Sequence, residues 1–536
     1  MDLQLLPWAK SWFRSEPQEQ IFYYLFLGII FMGVLILRLI FKSPRQPKIS
    51  PAPTSLPWKL WEISLVALSL IILLYNPNFR STYSSLSSFS RYEQFLHHNM
   101  FVGSINEILH GKIPLINTFN PYGILITVFP ALAFSFLPFS YANFYLYLVA
   151  IHFIYYALLY SLIRQLTCSR FISWLGLIFI ARLVFLRPWT GHDPLSIPNV
   201  TSFRFFWDIP LFLALSRFNR LIFPINFLAL LYNPETGLGL VLATGVFFIL
   251  KRQYSDLPRL LFTALLAPIA YSVFTWAVVH QLPDWNQFIS HSQLSLRGFG
   301  TLPLPQSGAY WLVLAVYVLA LFWQLRHPQP LVTALAVYGL AIFPYYLGFS
   351  ETEHLLAIAH PALILLILGL SSFYWSKFLL VVAVLWLLFH SPERLLNLYR
   401  HRYFPSTSGF SWDYLGTGFI LSDAPQYPFV VAAQAITDRI PVGQPVAIIS
   451  RYDTLLLTMA DRANLTSYYF YDVQILSYPM AYQMINEITT AQPEFVFIDP
   501  PQQQSEVGQL IFQNLKNQLQ WEQTSGMIDI YRWRQL

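Results

Sequence analysis

The side chains of this sequence that could do chemistry collect in four short stretches. The richest is Arg91–Gly123, RYEQFLHHNMFVGSINEILHGKIPLINTFNPYG, where Glu93 and His97 stand four apart and His98 follows. On a helix that spacing puts a carboxylate and an imidazole on one face, an arrangement able to take a proton from a hydroxyl. A solvated loop is the bland alternative, but the stretch is dense in apolar and aromatic residues, which favours packing. The second stretch, Arg182–Asp208, carries Arg182, Arg187, His192, Asp193, Arg204 and Asp208. Asp208 lies within an apolar run, where an ionisable group is costly and implies a partner. Arg204, four residues earlier, is the expected one, either pinning a helix or serving a site. The third stretch is Asn233–Gly237, NPETG, with Glu235 at a turn between two apolar blocks. The fourth is Ser350–His354, SETEH, where Glu351 and Glu353 could simply favour the positive end of a helix and His354 follows them. Glu93, His97 and His98 could also hold a divalent cation, but adjacent histidines leave a helix in different directions. No metal site is assigned, and no other cofactor is called for.

The elements that must position these residues are membrane helices. Of 536 residues, 55% are hydrophobic and 11% charged, against about 25% charged in an ordinary soluble domain. Such a chain could not cover its own surface in water. Apolar blocks such as Ile21–Phe41 and Leu312–Leu325 contain no acid and approach bilayer thickness. Apolar windows fall at roughly 19–41, 58–76, 142–163, 171–187, 203–216, 221–233, 236–250, 258–280, 308–325, 330–349, 354–373 and 377–390, predicting about twelve helices. The first block is too long for a cleavable signal peptide. One cysteine, Cys168, excludes an intrachain disulfide and a CxxC metal site. The net charge of +6 comes in clusters between apolar blocks, as in cytoplasmic loops, so nucleic acid is not an expected partner.

Those clusters fix the orientation. With the basic, proline-rich linker 42–57 placed inside, thirteen lysines and arginines fall on the inner side and five in the outer loops before the tail, which is the bias cytoplasmic loops carry. The long loop 77–141 then lies outside, with Ile124–Phe139, broken by Pro130 and Pro138, expected as an interfacial helix. The tail, 391–536, also lies outside. Its β-rich runs Val446–Ser450, Phe495–Asp499 and Met527–Trp533 alternate with helical stretches Phe429–Ile440, Met480–Thr490 and Glu506–Leu519, predicting a small α/β domain with an open sheet. The expected organisation is thus an N-terminal helix and linker (1–57), a helical membrane region (58–390) and a soluble α/β domain (391–536). Nearly all acids of the membrane region, with His97, His98, His192, His291 and His354, map to the outer side.

Several signatures are absent. There is no GxxxxGK[ST] loop, HExxH, GxSxG or DxD, which argues against an ATP-driven pump and a zinc protease.

The layout resembles the glycosyltransferase-C superfamily, which includes protein O-mannosyltransferases and aminoarabinose transferases. Glu107–Gly123, EILHGKIPLINTFNPYG, looks like the G-x-x-P…YG passage that follows the acidic residue in many bacterial members. The likeness in layout covers nearly the whole chain, and the motif about 35 residues of it. It implies a multi-pass protein of the plasma (inner) membrane. Its expected activity is transfer of a hexose or pentose from a polyprenyl-phosphate donor to a glycan, lipid or protein acceptor. By the resemblance Glu93 takes the place of the loop carboxylate that serves as base, although many members have an Asp or an acidic pair there. Arg204 is the leading candidate to hold the lipid phosphate, with Arg182 and Arg187 behind it. A transporter or lipid flippase would need paired broken helices related by an internal repeat, and none is visible; a non-catalytic scaffold is the third reading.

Overall fold

A computed structural model describes residues 4–12, 58–75, 88–186, 195, 197–296, 308–326, 329–371, 375–389, 396 and 427–534. The chain is mostly helical, with a small sheet near its C-terminus. After α1 (Pro7–Trp12) come α2 (Leu60–Leu74), α3 (Ser88–Leu109), α4 (Leu125–Phe134), α5 (Tyr141–Thr167), α6 (Arg170–Ile180), α7 (Asp208–Arg217), α8 (Ile222–Tyr232), α9 (Pro234–Lys251) and α10 (Asp256–Val279). Next are α11 (Asn286–Leu296), α12 (Tyr310–Arg326), α13 (Pro330–Ile342), α14 (Pro344–Gly348), α15 (Thr352–Ile358), α16 (His360–Ser371) and α17 (Ser376–Phe389). The C-terminal unit follows with α18 (Tyr427–Arg439), β1 (Ala447–Ile449), α19 (Asp453–Ala460), α20 (Tyr471–Gln474), α21 (Tyr478–Ala491), β2 (Phe495–Ile498), α22 (Glu506–Leu515), β3 (Leu519–Ser525) and β4 (Ile528–Trp533).

Of the twelve apolar windows, 19–41 lies outside the described residues, and the other eleven fall on helix. Length is where the expectation gives way. Among the described residues four helices are long and apolar enough to cross a bilayer, or five if the pair α15–α16, bent by 59°, is one span. Prolines explain part of this. The window 203–216 becomes helical only at Asp208, because Pro210 fits a first turn, where its missing N–H is not needed. The preceding residues instead form tight turns, such as Arg204 N–H to the Thr201 carbonyl at 3.1 Å.

Helix α5 shows which ends of the bundle are which. Ser140 caps it by accepting from the Asn143 N–H, and Cys168 ends it at φ 53°. At about 1.5 Å per residue its 27 residues reach about 40 Å. Its last turns meet the start of α2. There Glu62, 1% exposed, binds Arg164 at 2.7 Å and Arg170 at 3.1 Å and accepts from the Tyr160 hydroxyl at 2.6 Å. Its first residue, Tyr141, donates to Asn99 of α3 at 2.6 Å, in the long loop that carries the C-terminal unit. The loop and the C-terminal unit therefore share one face of the bundle, and the Glu62–arginine cluster marks the other.

The C-terminal sheet runs β1-β2-β4-β3, with β1 and β2 parallel and the other pairs antiparallel. Strands β1 and β2 are buried throughout, hence their continuous apolar runs. Edge strand β3, LQWEQTS, is exposed along most of its length. The start of the chain joins this unit. Leu6 N–H donates to the Leu476 carbonyl and Tyr478 N–H to the Gln4 carbonyl, each at 3.0 Å. Leu5, Leu6 and Ala9 enter the same apolar cluster as Ile475, Met484 and Val507. Both chain ends thus lie on the loop face.

Candidate functional site

The passage Glu107–Gly123 builds a seam rather than an open site. Gly111, at φ +89°, ends α3 with the Lys112 N–H reaching back to the Glu107 carbonyl at 3.0 Å, a left-handed helix stop that glycine favours. Glu107, 1% exposed, holds Lys112 at 2.6 Å and accepts from the Asn464 N–H at 2.9 Å. Lys112 donates to the Thr466 carbonyl, Asn106 to that of Arg462 and Gln474 to that of Phe119. His110 lies 3.4 Å from Asp461, and that hydrogen bond raises the histidine above its usual range. A Cβ on Gly103 would stand 2.1 Å from the Tyr469 ring. The seam leaves little room for a substrate.

Past the seam, Tyr122 leads to a different environment. Arg204, 8% exposed, lies between two aromatic faces, with its guanidinium carbon 4.8 Å from the Tyr122 ring centre and 4.3 Å from that of Tyr345. Its ion-pair partner is Glu235 of α9, whose side chain is 44% exposed. The expected pair with Asp208 does not form. Four residues apart in turns rather than helix, the two side chains diverge, and Asp208 binds His360 instead. Arg204 Nε is buried and, among the described residues, makes no hydrogen bond. Asn199 donates to the Tyr122 hydroxyl at 3.1 Å and the Tyr345 hydroxyl reaches the Asn199 carbonyl at 3.5 Å, so both rings are anchored. His354 stacks against Tyr345, with centroids 4.9 Å apart, and stands 3.6 Å from Glu351. His291 of α11 is pushed down to about 4 by burial and, second, by the Arg204 charge. It is therefore neutral at pH 7.

Helix α10 presents an exposed apolar surface, with Phe262, Val273 and Trp276 among its uncovered side chains. A groove of about 340 Å³ there is lined by Pro268, Ile269, Val273, Trp276, Leu282 and Trp285. Tyr271 ties this end of α10 to the loop face by donating to the Pro114 carbonyl at 2.6 Å. From the groove an aromatic series leads inward. Trp285 stacks on Phe288, Phe288 meets Phe119, and Phe119 meets His291, whose charge state Arg204 influences.

The sequence candidates divide accordingly. Arg204, Glu235, Glu351 and His354 belong to this neighbourhood, and half-buried Glu353 shares α15 with the last. His98 is buried, with Nε2 2.8 Å from the Leu195 carbonyl, so it holds a chain segment rather than lining the site. Arg182 is 2% exposed in the π turn Ala181–Phe185, with Nη1 3.5 Å from the Leu186 carbonyl. His97 is half-buried on α3. Glu93 also lies on α3, but its side chain, like residues Arg187, His192 and Asp193, lies outside the described residues. Among the described residues no three histidine, cysteine or acidic side chains are grouped to hold a metal ion.

Sequence reasoning missed Tyr122, Tyr345, Asn199 and His360. A signal existed for the first two, since both follow a proline, in Pro121-Tyr122 and Pro344-Tyr345, where the preceding rigid φ fixes a ring at a turn.

No family model matches the chain, and no curated protein matches it. Among solved structures it is similar to ArnT from Cupriavidus metallidurans bound to undecaprenyl phosphate, at 11% identity. That match covers 88% of this chain and 97% of the other, with a TM-score of 0.48. The apo state of the same protein matches at 10% identity over the same shares, with a TM-score of 0.43.

Proposed function

We propose that this chain is a membrane glycosyltransferase that moves a sugar from a polyprenyl-phosphate donor to an acceptor on the extracytoplasmic face. One observation carries the reading: a buried guanidinium held between two tyrosine faces, its Nε without a hydrogen bond among the described residues, joined through His291, Phe119 and Phe288 to an apolar groove on α10. A buried cation with an unused donor suits a phosphate, which accepts charge-assisted hydrogen bonds. An amphiphilic donor would lay its isoprenoid chain along the groove by Trp276 and Trp285 and its phosphate at Arg204, where it would compete with the half-exposed Glu235. His291, neutral at pH 7, adds no second charge beside Arg204.

The chemistry then needs little else. The acceptor oxygen attacks the anomeric carbon as the bond from that carbon to the phosphate oxygen breaks. The acceptor proton passes to a carboxylate, for which Glu93 is the candidate, and polyprenyl phosphate leaves as an anion needing no acid. The C-terminal unit, sealed to the loop through Glu107, Lys112 and Gln474, would lie outside the cytoplasm and flank the acceptor side. Its acids Asp453, Asp461, Asp472 and Asp499 follow no catalytic motif.

The test is binding of undecaprenyl phosphate to the full chain in lipid nanodiscs. Arg204→Gln should weaken it about ten- to hundredfold, the scale of losing hydrogen bonds to a charged group. Unchanged affinity would remove Arg204 from the site and the reading with it.

A further inference from the structure

The bend between α15 and α16 is built, not accidental. In a continuous helix the Ala357 carbonyl would accept from the N–H of residue 361, but that residue is a proline and has none. His360 supplies the missing donor: its Nδ1 lies 3.1 Å from the Ala357 carbonyl. A carbonyl can only accept, so Nδ1 carries a proton. The Tyr317 hydroxyl donates to the next carbonyl, Ile358, at 3.3 Å. Both backbone groups exposed by the break are thereby paired, as a membrane interior demands.

The other nitrogen of His360 reaches Asp208. Nε2 contacts the Asp208 carboxyl, which is 0% exposed, and Tyr338 donates to the same oxygen at 3.2 Å. With Nδ1 committed, a single proton lies between Nε2 and the carboxyl, whichever atom holds it. The pair thus ties the break to the segment that begins α7. Phe205 connects it to the site, packing against the His360 ring at 6.0 Å and the Tyr345 ring at 5.8 Å. Tyr345 in turn carries Arg204, and α15 carries His354 onto Tyr345. Residues 204 to 208 therefore present a cation to the site and a carboxylate to the break.

We propose that Asp208 and His360 are positioning residues: their link sets the angle between α15 and α16 and so holds Tyr345 and His354 against Arg204. A buried polar pair is not needed for stability alone, because well-packed apolar residues do as well. A break that must keep one angle has a use for it. The second half of the proposal rests on the reading of Arg204 as the phosphate-binding cation.

The experiment uses the full chain in nanodiscs with Cys168→Ser, carrying spin labels at exposed positions Thr352 and Leu366, one on each side of the break. Asp208→Leu removes the link, and Asp208→Asn keeps a hydrogen bond to the imidazole. His360→Asn keeps a donor near Ala357 but cannot reach Asp208, and serves where Asp208→Leu does not fold. The expected result is a longer or broader label separation in Asp208→Leu and His360→Asn. Their affinity for undecaprenyl phosphate should fall about tenfold, the scale of one lost hydrogen bond to a charged group. Asp208→Asn should restore both readouts, which a mere loss of stability would not produce. An unchanged separation in His360→Asn overturns the proposal, and so does a changed separation with wild-type affinity. If Arg204→Gln binds as well as wild type, the site reading fails, while the label separation still reports on the link.

Discussion

The two ends of the helix bundle each bury a charge, and they treat it in opposite ways. At one end Glu62 is closed in by Arg164, Arg170, the Tyr160 hydroxyl and the Lys59 N–H. Every side of that carboxylate is filled. At the other end Arg204 has, among the described residues, one carboxylate, Glu235, which is half in water, two aromatic faces and an Nε without a hydrogen bond. Aromatic faces stabilise a cation without consuming its hydrogen-bond donors. The first end is finished as structure, while the second is where the proposed function puts a ligand. A buried ion is therefore read by what remains unfilled around it, and burial alone would rank Glu62 above Arg204.

The largest expected effect is on the proposed base. Glu93→Gln should leave undecaprenyl phosphate affinity near wild type and reduce sugar transfer by about two to four orders of magnitude, the scale of losing a general base. Transfer assays with a polyprenyl-phosphate sugar donor would show it, and normal turnover would move the base elsewhere. At the closed end Glu62→Ala should cost about 3 kcal/mol of stability by leaving buried Arg164 and half-buried Arg170 without their carboxylate. Melting of the detergent-solubilised chain measures this. Lipid-phosphate affinity in the folded fraction should stay unchanged, and a selective loss of affinity would break the contrast between the two ends.

A smaller effect tests the seam. Gly103→Ala forces a methyl against the Tyr469 ring, 2.1 Å from its nearest atom, and should cost about 1–3 kcal/mol, as overpacking does. Faster proteolysis of the C-terminal unit would be the readout.

The smallest effects are on pH. His291 is depressed to about 4 by burial and by Arg204. Its unfolded form takes up a proton near pH 6.5 and its folded form does not, so its contribution is full above 6.5 and lost as pH falls toward 4. Asp499 is raised to about 6, first by burial. Its folded form keeps a proton that the unfolded form has lost, so its contribution is lost as pH rises from about 4 to 6. The two slopes oppose each other. His291→Gln should flatten the acid loss of melting temperature and Asp499→Asn should steepen it, each by at most about 1.4 kcal/mol per pH unit. Equal profiles for both variants would show that neither group titrates as its surroundings imply.

Much of the architecture was legible in residue pattern, because burial against lipid or within a sheet writes itself in periodicity and composition. The apolar windows found helices, and the tail runs found β1, β2 and β4. Strand β3 was not legible. LQWEQTS has no apolar alternation, since an edge strand exposed on both faces needs none, and its partner β4 alone specifies it. Helix α19 was hidden for the converse reason, being a short apolar run that could equally be a strand. Helix length was overestimated where windows count apolar residues across prolines, at Pro210 and Pro361, that start or bend the helix.

For the candidate site, residue type and local run sufficed to single out Arg204, Asp208, Glu235 and His354 as ionisable groups out of place in their surroundings. Which of them meet was decided only by tertiary structure. The spacing of Arg204 and Asp208 promised a pair on the assumption of helix, but turns at 201–207 sent one to Glu235, 31 residues away, and the other to His360, 152 residues away. The tyrosine walls around Arg204 come from residues 122 and 345, more than two hundred positions apart. Sequence fixes the energetic cost of each charge in an apolar run, because that cost is a property of the residue and its local neighbours. The partner that offsets the cost is set by packing, because contacts between distant segments exist only once the chain has closed on itself.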